Sequence, residues 1–349
     1  MVTAPTGTAA TTGSYAGLPD DDQCRQLTTL EGWRRYVDSV PVVPELLDRQ
    51  AWKRLDRDQR FAYDEARLAH HARLLVVATS TIRKVITEGR RLSYLNRYAV
   101  SGRCGLIVSG VARTGKTTSL AQLGKTMEVI HRRRHPEAPE DIPVIYITTP
   151  PAATPRMMAV ELARFLGLPV TARANITDVI EAVCGVCLDA RTGLICVDEI
   201  HNISLTTRHG AETSDTLKYF SERIPATFVY AGLNVEREGL LSGTRGQQIA
   251  GRFSMIRTGA FPGREEWSAL IAALEDSLRL HAHTPGTLTS LDVYLHQRTN
   301  GMIGSLLRLI RSAAIQAVIE GSERITRTTL DDIEIDVAAE SAREGHRPS

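Results

Sequence analysis

The sequence GLIVSGVARTGKTTSL, residues 105–120, decides the fold of this chain. An apolar run ends in Gly110, four residues follow, and Gly115, Lys116 and Thr117 open a helical segment. A glycine-rich loop with this spacing, between a strand and a helix, is typical of a phosphate-binding loop. Glycine lets the loop wrap closely, so that backbone N–H groups point inward at phosphate oxygens. The predicted nucleotide-binding residues of the loop are Gly110, Val111, Ala112, Arg113, Thr114, Gly115, Lys116, Thr117 and Thr118.

Two side chains of this loop have separate expected roles. Lys116 is expected on the β- and γ-phosphates, and the Thr117 hydroxyl is expected on Mg²⁺. The N-terminal end of the following helix adds a partial positive charge. The loop therefore predicts a nucleoside triphosphate and Mg²⁺ as cofactors, whereas the alternative is a glycine-rich turn with a chance lysine.

An acidic pair completes the predicted site. In GLICVDEIHN, residues 193–202, Asp198 and Glu199 follow four apolar residues. They are expected at the carboxyl end of a strand, where ligands bind in open α/β sheets. Asp198 is predicted to hold Mg²⁺ through water, and Glu199 to polarise the water that attacks the γ-phosphate. An N-terminal helix cap is the alternative reading of this pair, and a threonine at the tip of the preceding strand, Thr148 or Thr149, is a weaker candidate to hydrogen-bond Glu199.

The apolar runs GLIVSG, IPVIYITT, GLICVDEI, ATFVYAGLN and FSMIRTGAF alternate with helical stretches after residue 102. Continuous runs rich in valine and isoleucine are typical of a parallel sheet covered by helices on both faces. Along the chain, one run lies between the phosphate-loop run and the acidic run, which favours ATPases of the AAA+ and RecA type over nucleotide kinases. We expect an α/β fold, an AAA+ P-loop NTPase with a five-stranded parallel sheet, an N-terminal helical region and a C-terminal helical lid.

Composition and periodicity divide the chain further. The leader is rich in Thr, Ala, Gly and Pro, as disordered segments are, and GMIGSLLRLIRSAAIQAVIEG near the C-terminus is amphipathic. The apolar face predicted for this helix comprises Ile303, Leu306, Leu307, Ile310, Ala314, Ala317 and Val318. The expected domains are a disordered leader (1–22), an N-terminal helical region (23–100), the AAA+ core (101–262), the helical lid (263–337) and a solvated tail (338–349).

Charge and cysteine usage restrict the class of protein. The net charge of +2 commits the chain to neither nucleic acid nor membrane. No signal peptide is visible and no apolar run approaches the roughly 20 residues of a membrane span. An odd cysteine count of 5 favours a reducing compartment, so we expect a cytoplasmic protein without membrane contact. Three pairs are expected to be packing, surface or loop residues that bind no metal: Cys184 and Cys187, His70 and His71, and His281 and His283.

Two further residues are candidates for catalysis. Asn234 ends the run YAGLN and is expected to orient the attacking water, the role called sensor 1 in AAA+ proteins, although a turn-forming asparagine has the same sequence. Arg252 in QQIAGRFSMI precedes the last strand, where AAA+ proteins place an arginine finger. A finger acts on a neighbouring subunit, so it predicts a homo-oligomeric ring or filament. Arg245 and Arg257 compete for this role, and a surface arginine is the alternative for all three.

The stretches GLIVSGVARTGKTT, IPVIYITTPP, LICVDEIHN, IPATFVYAGL, IAGRF and GMIGSLLRLIRSAA together resemble the TniB/TnsC group of AAA+ ATPases, over roughly residues 94–336. The resemblance implies an ATPase that uses ATP and Mg²⁺ and regulates DNA transposition. It implies ATP-bound subunits that assemble on double-stranded DNA as rings or filaments. They are expected to link a TniQ-like target selector to a DDE transposase, with ATP hydrolysis driving disassembly.

One position departs from the AAA+ pattern. Gly304 stands where many AAA+ lids carry the sensor 2 arginine. Arg308, four residues later and on the same helix face, is a candidate nucleotide-binding residue, and an ordinary surface arginine is the alternative. The basic residues 132–134 are expected to form a solvated helix end rather than a DNA contact, and the cluster of Arg83, Lys84, Arg90 and Arg91 is diluted by Glu88.

Other ATPase classes are the competing hypotheses. A STAND-like signalling switch usually adds a repeat or effector domain, and a helicase-loading or replication-initiation ATPase usually adds a winged helix after the lid. We expect neither, since few residues follow Gly321. A GTPase is disfavoured because no N-K-x-D guanine-reading motif is present.

Overall fold

The computed structural model describes residues 26–73, 76–203, 208–236, 250–261, 264–336 and 340. The predicted leader at 1–22, the arginine-finger competitor Arg245 and almost all of the predicted tail lie outside the described residues.

Four helices precede the first strand. They are α1 (Leu30–Asp38), α2 (Arg49–Arg54), α3 (Arg57–Ala72) and α4 (Ser80–Asn96). The central part contains β1 (Gly105–Gly110), α5 (Lys116–Arg134), β2 (Val144–Thr148), α6 (Pro155–Phe165), α7 (Ile176–Asp189), β3 (Leu194–Asp198), α8 (Arg208–Arg223), β4 (Thr227–Leu233) and β5 (Phe253–Thr258). The described chain continues with α9 (Arg264–Asp276), α10 (Thr287–Ser290), α11 (Asp292–Thr299), α12 (Ile303–Ile319) and α13 (Arg327–Asp332).

The five strands form one parallel sheet with the order β2-β3-β4-β1-β5. The predicted α/β fold with a five-stranded parallel sheet is confirmed, including FSMIRT as the fifth strand. The strand that separates β1 from β3 in space is β4, whereas β2 lies at the edge beyond β3. The run found between the two motifs along the chain is therefore not the strand between them in the sheet.

The sheet and its helices enclose the larger hydrophobic core. Strands β1 and β3 are buried at every position, as expected for a sheet with helices on both faces. Trp33 of α1 is fully buried, stacks on Tyr146 of β2 with ring centroids 5.8 Å apart, and donates to Glu128 of α5. In α7, Cys184 and Cys187 are buried in this core, as predicted.

A second core lies within the C-terminal helices α9 to α13, the lid. Leu306, Ile310, Ala314, Ala317 and Val318 of α12 are buried there, as the amphipathic pattern predicts. On the adjoining loop, His281 contacts the Tyr63 hydroxyl and His283 pairs with buried Glu275.

The N-terminal helices pack on two different bodies. Helix α4 lies against α5 and β1, and α1 lies against α5. Helix α3 instead packs against α12 of the lid. Its His70 ring contacts the Ser277 carbonyl oxygen at 2.9 Å, and Arg311 of α12 donates to the His71 carbonyl oxygen at 3.1 Å. The chain between α3 and α4 therefore runs from the lid to the core.

No single helix within the described segments is both long enough and apolar enough to cross a bilayer, and the bent pair α11–α12, with 114° between its helices, passes that test by length and composition only.

A buried ion pair joins α3 to the lid. Arg67 is fully buried and donates to Glu323 through both terminal nitrogens, at 2.6 and 2.8 Å. Asp64 accepts a further bond from Arg67 at 2.5 Å, and Glu323 also accepts from the His281 backbone N–H. Because the guanidinium fork matches a carboxylate, this geometry specifies how α3 sits on the lid.

We expect Arg67→Met to lower the free energy of unfolding by about 3–5 kcal/mol, because it leaves the Glu323 carboxylate buried without its counter-charge. Arg164→Ala is the matched control, since Arg164 pairs with Glu161 at 2.7 Å but is mostly exposed; its expected cost is at most about 1 kcal/mol. Chemical denaturation measures both. Equal effects of the two substitutions would contradict a structural role for the buried pair.

Candidate nucleotide-binding site

Two glycines shape the loop between β1 and α5. A Cβ at Gly110 would lie 2.2 Å from the Thr258 carbonyl oxygen, so this position must be glycine for β5 to lie close beside β1. Gly115 has φ +83°, a left-handed conformation that favours glycine. Its turn starts α5 with backbone N–H groups at the end of the loop, as a phosphate site requires.

Lys116 converges with the acidic pair. Its Nζ donates to the Val111 carbonyl oxygen at 2.7 Å and lies across the loop. Burial lowers the pKa of Lys116, while the charges of Glu199 and Asp198 act in the opposite direction. The charge at the start of α5 and the charges at the end of β3 therefore interact at the carboxyl edge of the sheet. Thr117, the next residue, is exposed and lines the same cavity.

The two acidic residues have different environments. Asp198 is buried; its Oδ2 accepts from the Tyr146 hydroxyl at 2.8 Å and its Oδ1 from the Glu199 N–H at 2.9 Å. Burial, followed by the charge of Asp198, raises the pKa of Tyr146 well above its usual value, so this hydroxyl keeps its proton. The Glu199 side chain is 42% exposed and lines the cavity. Its backbone adopts φ +55°, a left-handed conformation directly after the end of β3.

The cavity beside the loop has a volume of about 690 Å³. This volume lies within the range of small-molecule and cofactor sites. Apolar side chains reach it from four places: the α3–α4 connection, α4, the segment after β5, and α12. They are Val76, Val77, Ile82, Phe261, Ile303 and Leu307. Basic side chains outnumber acidic ones on its described walls, which favours an anionic ligand with an apolar end.

The residues present fit a Mg²⁺-bound nucleotide. The loop residues from Ala112 to Thr118 line the cavity and present N–H donors and hydroxyls to it. Asp198 is buried, and each of its carboxylate oxygens keeps a lone pair beyond the bond it accepts. These lone pairs leave Asp198 able to hold Mg²⁺ through water, and that role stays a prediction.

The lid contacts the phosphate loop directly. The Gly304 N–H, in the first turn of α12, donates to the Arg113 carbonyl oxygen at 2.9 Å. Arg113 has φ +65°, and its Nη1 lies 2.5 Å from Asp336 Oδ2, which also accepts from the Ser305 hydroxyl. A Cβ at Gly304 would lie 2.9 Å from the Arg113 Cβ. The presence of Gly304 in place of the sensor 2 arginine thus has a physical reason, since no side chain fits at this contact.

Two arginines of α12 line the cavity. Arg308, the predicted substitute for sensor 2, is exposed and forms no hydrogen bond or ion pair with the described residues. Arg311, one turn further on, also lines the cavity while bonding the end of α3. Burial lowers the pKa of Arg311. Sequence reasoning missed Arg311; its spacing of three residues from Arg308 was the signal that could have found it.

The two remaining catalytic candidates are not among the described residues that line this cavity, although Asn234 directly follows one of them. Asn234 has φ +37°, as turn asparagines do, and its N–H donates to the Gly110 carbonyl oxygen at 3.3 Å. Leu233, its neighbour, lines the cavity. Arg252 precedes β5, near Glu222 at 3.6 Å, and so lies at the amino edge of the sheet, opposite its own phosphate loop. Its role as an arginine finger stays a prediction.

Solved structures share this fold. The ORC1 protein of Aeropyrum pernix, solved in complex with DNA, matches with a TM-score of 0.57 at 16% identity, over 79% of this chain and 66% of that one. ORC2 of the same organism, solved as ADPNP–ADP complexes, matches at 0.57 and 15%, over 79% and 72%. Cdc6p from Pyrobaculum aerophilum matches at 0.50 and 14%, over 74% and 67%. These structures and the site place the chain among the α/β P-loop NTPases with the AAA+ fold.

The family follows from the sequence match. Residues 68–261 match the model of the bacterial TniB protein, which is more than half of the chain. The chain therefore belongs to the TniB family, and the predicted resemblance is confirmed. No curated protein matches it.

We expect Gly304→Ala to weaken nucleotide binding by about tenfold, since the added methyl group pushes α12 away from Arg113, and overpacking costs about 1–3 kcal/mol. Gly185→Ala is the matched control, because Gly185 also lies in a helix but has nothing within 4 Å of an added Cβ. Titration with a fluorescent ATP analogue measures both affinities. Unchanged affinity in Gly304→Ala would show that this lid contact does not support the loop.

Proposed function

We propose that this chain is an ATP-dependent regulator of DNA transposition. In this proposal it binds Mg·ATP in the cavity, assembles as an oligomer on double-stranded DNA, and recruits a DDE transposase together with a TniQ-like target selector. ATP hydrolysis then drives disassembly. The observation that carries the proposal is the convergence of Lys116 with Asp198 and Glu199 in a chain of the TniB family.

The residues divide the work of hydrolysis among them. Lys116 and the loop N–H groups neutralise the charge that builds up on the phosphates. Thr117 and Asp198 would hold Mg²⁺, which would supply charge neutralisation to the phosphates when bound. Glu199 accepts a proton from the attacking water, and Asn234 orients that water.

The walls of the cavity also indicate how a nucleotide would be oriented in it. With the phosphates at the loop, Val77, Phe261 and Leu307 would provide apolar walls for the base. Arg308 and Arg311 approach from α12 and add positive charge to the site. Since α12 also carries Gly304, nucleotide binding couples the loop to the lid.

A replication-initiation ATPase remains the second candidate, because ORC1, ORC2 and Cdc6p share the fold. Fold likeness at this identity does not distinguish the two functions. DNA-bound rings or filaments with transposase recruitment support the first candidate. Loading of a helicase by the protein would favour the second.

We expect Glu199→Gln to lower ATP turnover by at least about 100-fold and to leave ATP binding intact, because it removes the proton acceptor. Lys116→Ala should abolish ATP binding. With duplex DNA and ATP, electron microscopy should therefore show persistent assemblies for Glu199→Gln and none for Lys116→Ala. Glu137→Gln and Lys53→Ala, both exposed and distant along the chain, are the controls. Turnover by Glu199→Gln equal to that of the unmodified protein would refute the role of the glutamate.

We also expect Arg252→Ala to lose turnover alone and to regain it when mixed with Glu199→Gln. In mixed assemblies the Glu199→Gln subunit supplies the finger to a neighbour whose own Glu199 is intact. The measurement is ATP hydrolysis as a function of the mixing ratio. A mixture that shows only the sum of the two single variants would exclude a finger supplied by Arg252 in trans.

A further inference from the structure

His201 lies between the end of β4 and the acidic pair. It belongs to a short 3₁₀ turn, Ile200–Asn202, directly after β3. Its Nδ1 lies 3.3 Å from Glu199 Oε2 and also 3.3 Å from the backbone nitrogen of Leu233. A single ring nitrogen thus faces both the expected proton acceptor and a cavity-lining strand end.

The end of β4 packs directly on the Ile200–Asn202 turn. Backbone pairing of β3 with β4 ends at Val197 and Tyr230, and beyond that point His201 provides the acceptor for the Leu233 N–H. A Cβ on Gly232 would lie 3.1 Å from the backbone nitrogen of His201 and 2.8 Å from Ile200 Cγ2. The glycine therefore allows the turn to pack directly on β4.

The Nδ1 atom of His201 cannot form the same kind of hydrogen bond with the Leu233 N–H and with the Glu199 carboxylate. A backbone N–H only donates, so the bond from Leu233 requires an acceptor at Nδ1, with the proton of the neutral ring on Nε2. Nδ1 then presents a lone pair to the Glu199 carboxylate, which accepts only. The ring therefore offers no hydrogen bond to Glu199 Oε2, 3.3 Å away, and the carboxylate stays available to Lys116 and the cavity.

Other neighbours do not hold the Glu199 side chain. Within the described chain, His201 is the one group at ion-pair distance from its carboxylate. The hydroxyl of Thr149, which with Thr148 is a candidate partner, is buried and has no hydrogen-bond partner among the described residues. Its backbone N–H instead donates to the Asp198 carbonyl oxygen at 2.9 Å.

We propose that His201 is a positioning residue for Glu199: by accepting the Leu233 N–H at Nδ1, it orients the carboxylate toward the attacking water. The proposal rests on the hydrolytic role of Glu199 stated above. It also links the strand end next to Asn234 to the proton acceptor, so that a shift of β4 reaches Glu199 through one side chain.

The matched variants follow from the geometry. Asparagine places its side-chain oxygen near the position of Nδ1, whereas glutamine places its amide near Nε2. We expect His201→Ala and His201→Gln to lower kcat by at least about tenfold with KM for ATP unchanged, since a misplaced catalytic group slows the reaction without weakening binding. His201→Asn should keep kcat within about threefold of the unmodified protein.

His135 offers a control of the same type. Its Nδ1 lies 3.3 Å from Glu137 Oε1, the same atom and distance, but at the end of α5 and away from the cavity. His135→Ala should leave both kcat and KM unchanged. Loss of kcat that is equal in His201→Ala and His201→Asn, or no loss in His201→Ala, would overturn the proposal.

A second readout does not depend on turnover. ¹⁵N NMR of histidine-labelled protein, with His201→Gln used to assign the signal, should show the tautomer that is protonated at Nε2. Protonation at Nδ1 would overturn the proposal even in an active enzyme. If the unmodified protein and Glu199→Gln hydrolyse ATP equally, the hydrolytic role of Glu199 fails instead, and the NMR result still tests the Leu233 contact.

Discussion

The meeting of Lys116 with Asp198 and Glu199 at one edge of the sheet is the constraint on which the rest depends. It requires parallel strands, because only then do the ends of β1, β3, β4 and β5 share an edge. It also requires Gly110, whose missing side chain lets β5 lie beside β1. The cavity, the lid contact and the acidic pair are all built on this edge.

The lid takes part in the site rather than covering it from a distance. Gly304 bonds the loop at Arg113, and Arg308 and Arg311 line the cavity on the same helix. Arg311 continues the connection to α3, which the Arg67–Glu323 pair fastens to the lid. A change at the phosphates therefore has a short path of direct contacts to the N-terminal helices.

Local chemistry explains which parts of the site were predictable. The loop, the acidic pair and the five strand-forming runs are contiguous stretches whose residue types and spacing carry their meaning. The structure brings Lys116, Glu199 and the loop residues to one cavity, as those stretches indicate. The roles of Asn234 and Arg252 remain predictions, since a turn asparagine and a surface arginine have the same local sequence.

The sequence by itself determined the phosphate loop, the acidic pair and the parallel sheet, because each follows from neighbours along the chain. Only the tertiary structure decided that β4 separates β1 from β3, that Gly304 lies on Arg113, and that His201 accepts from Leu233. These contacts join residues far apart in sequence, and close packing selects them. A periodicity or motif within one stretch of sequence does not indicate which distant residues that stretch will contact.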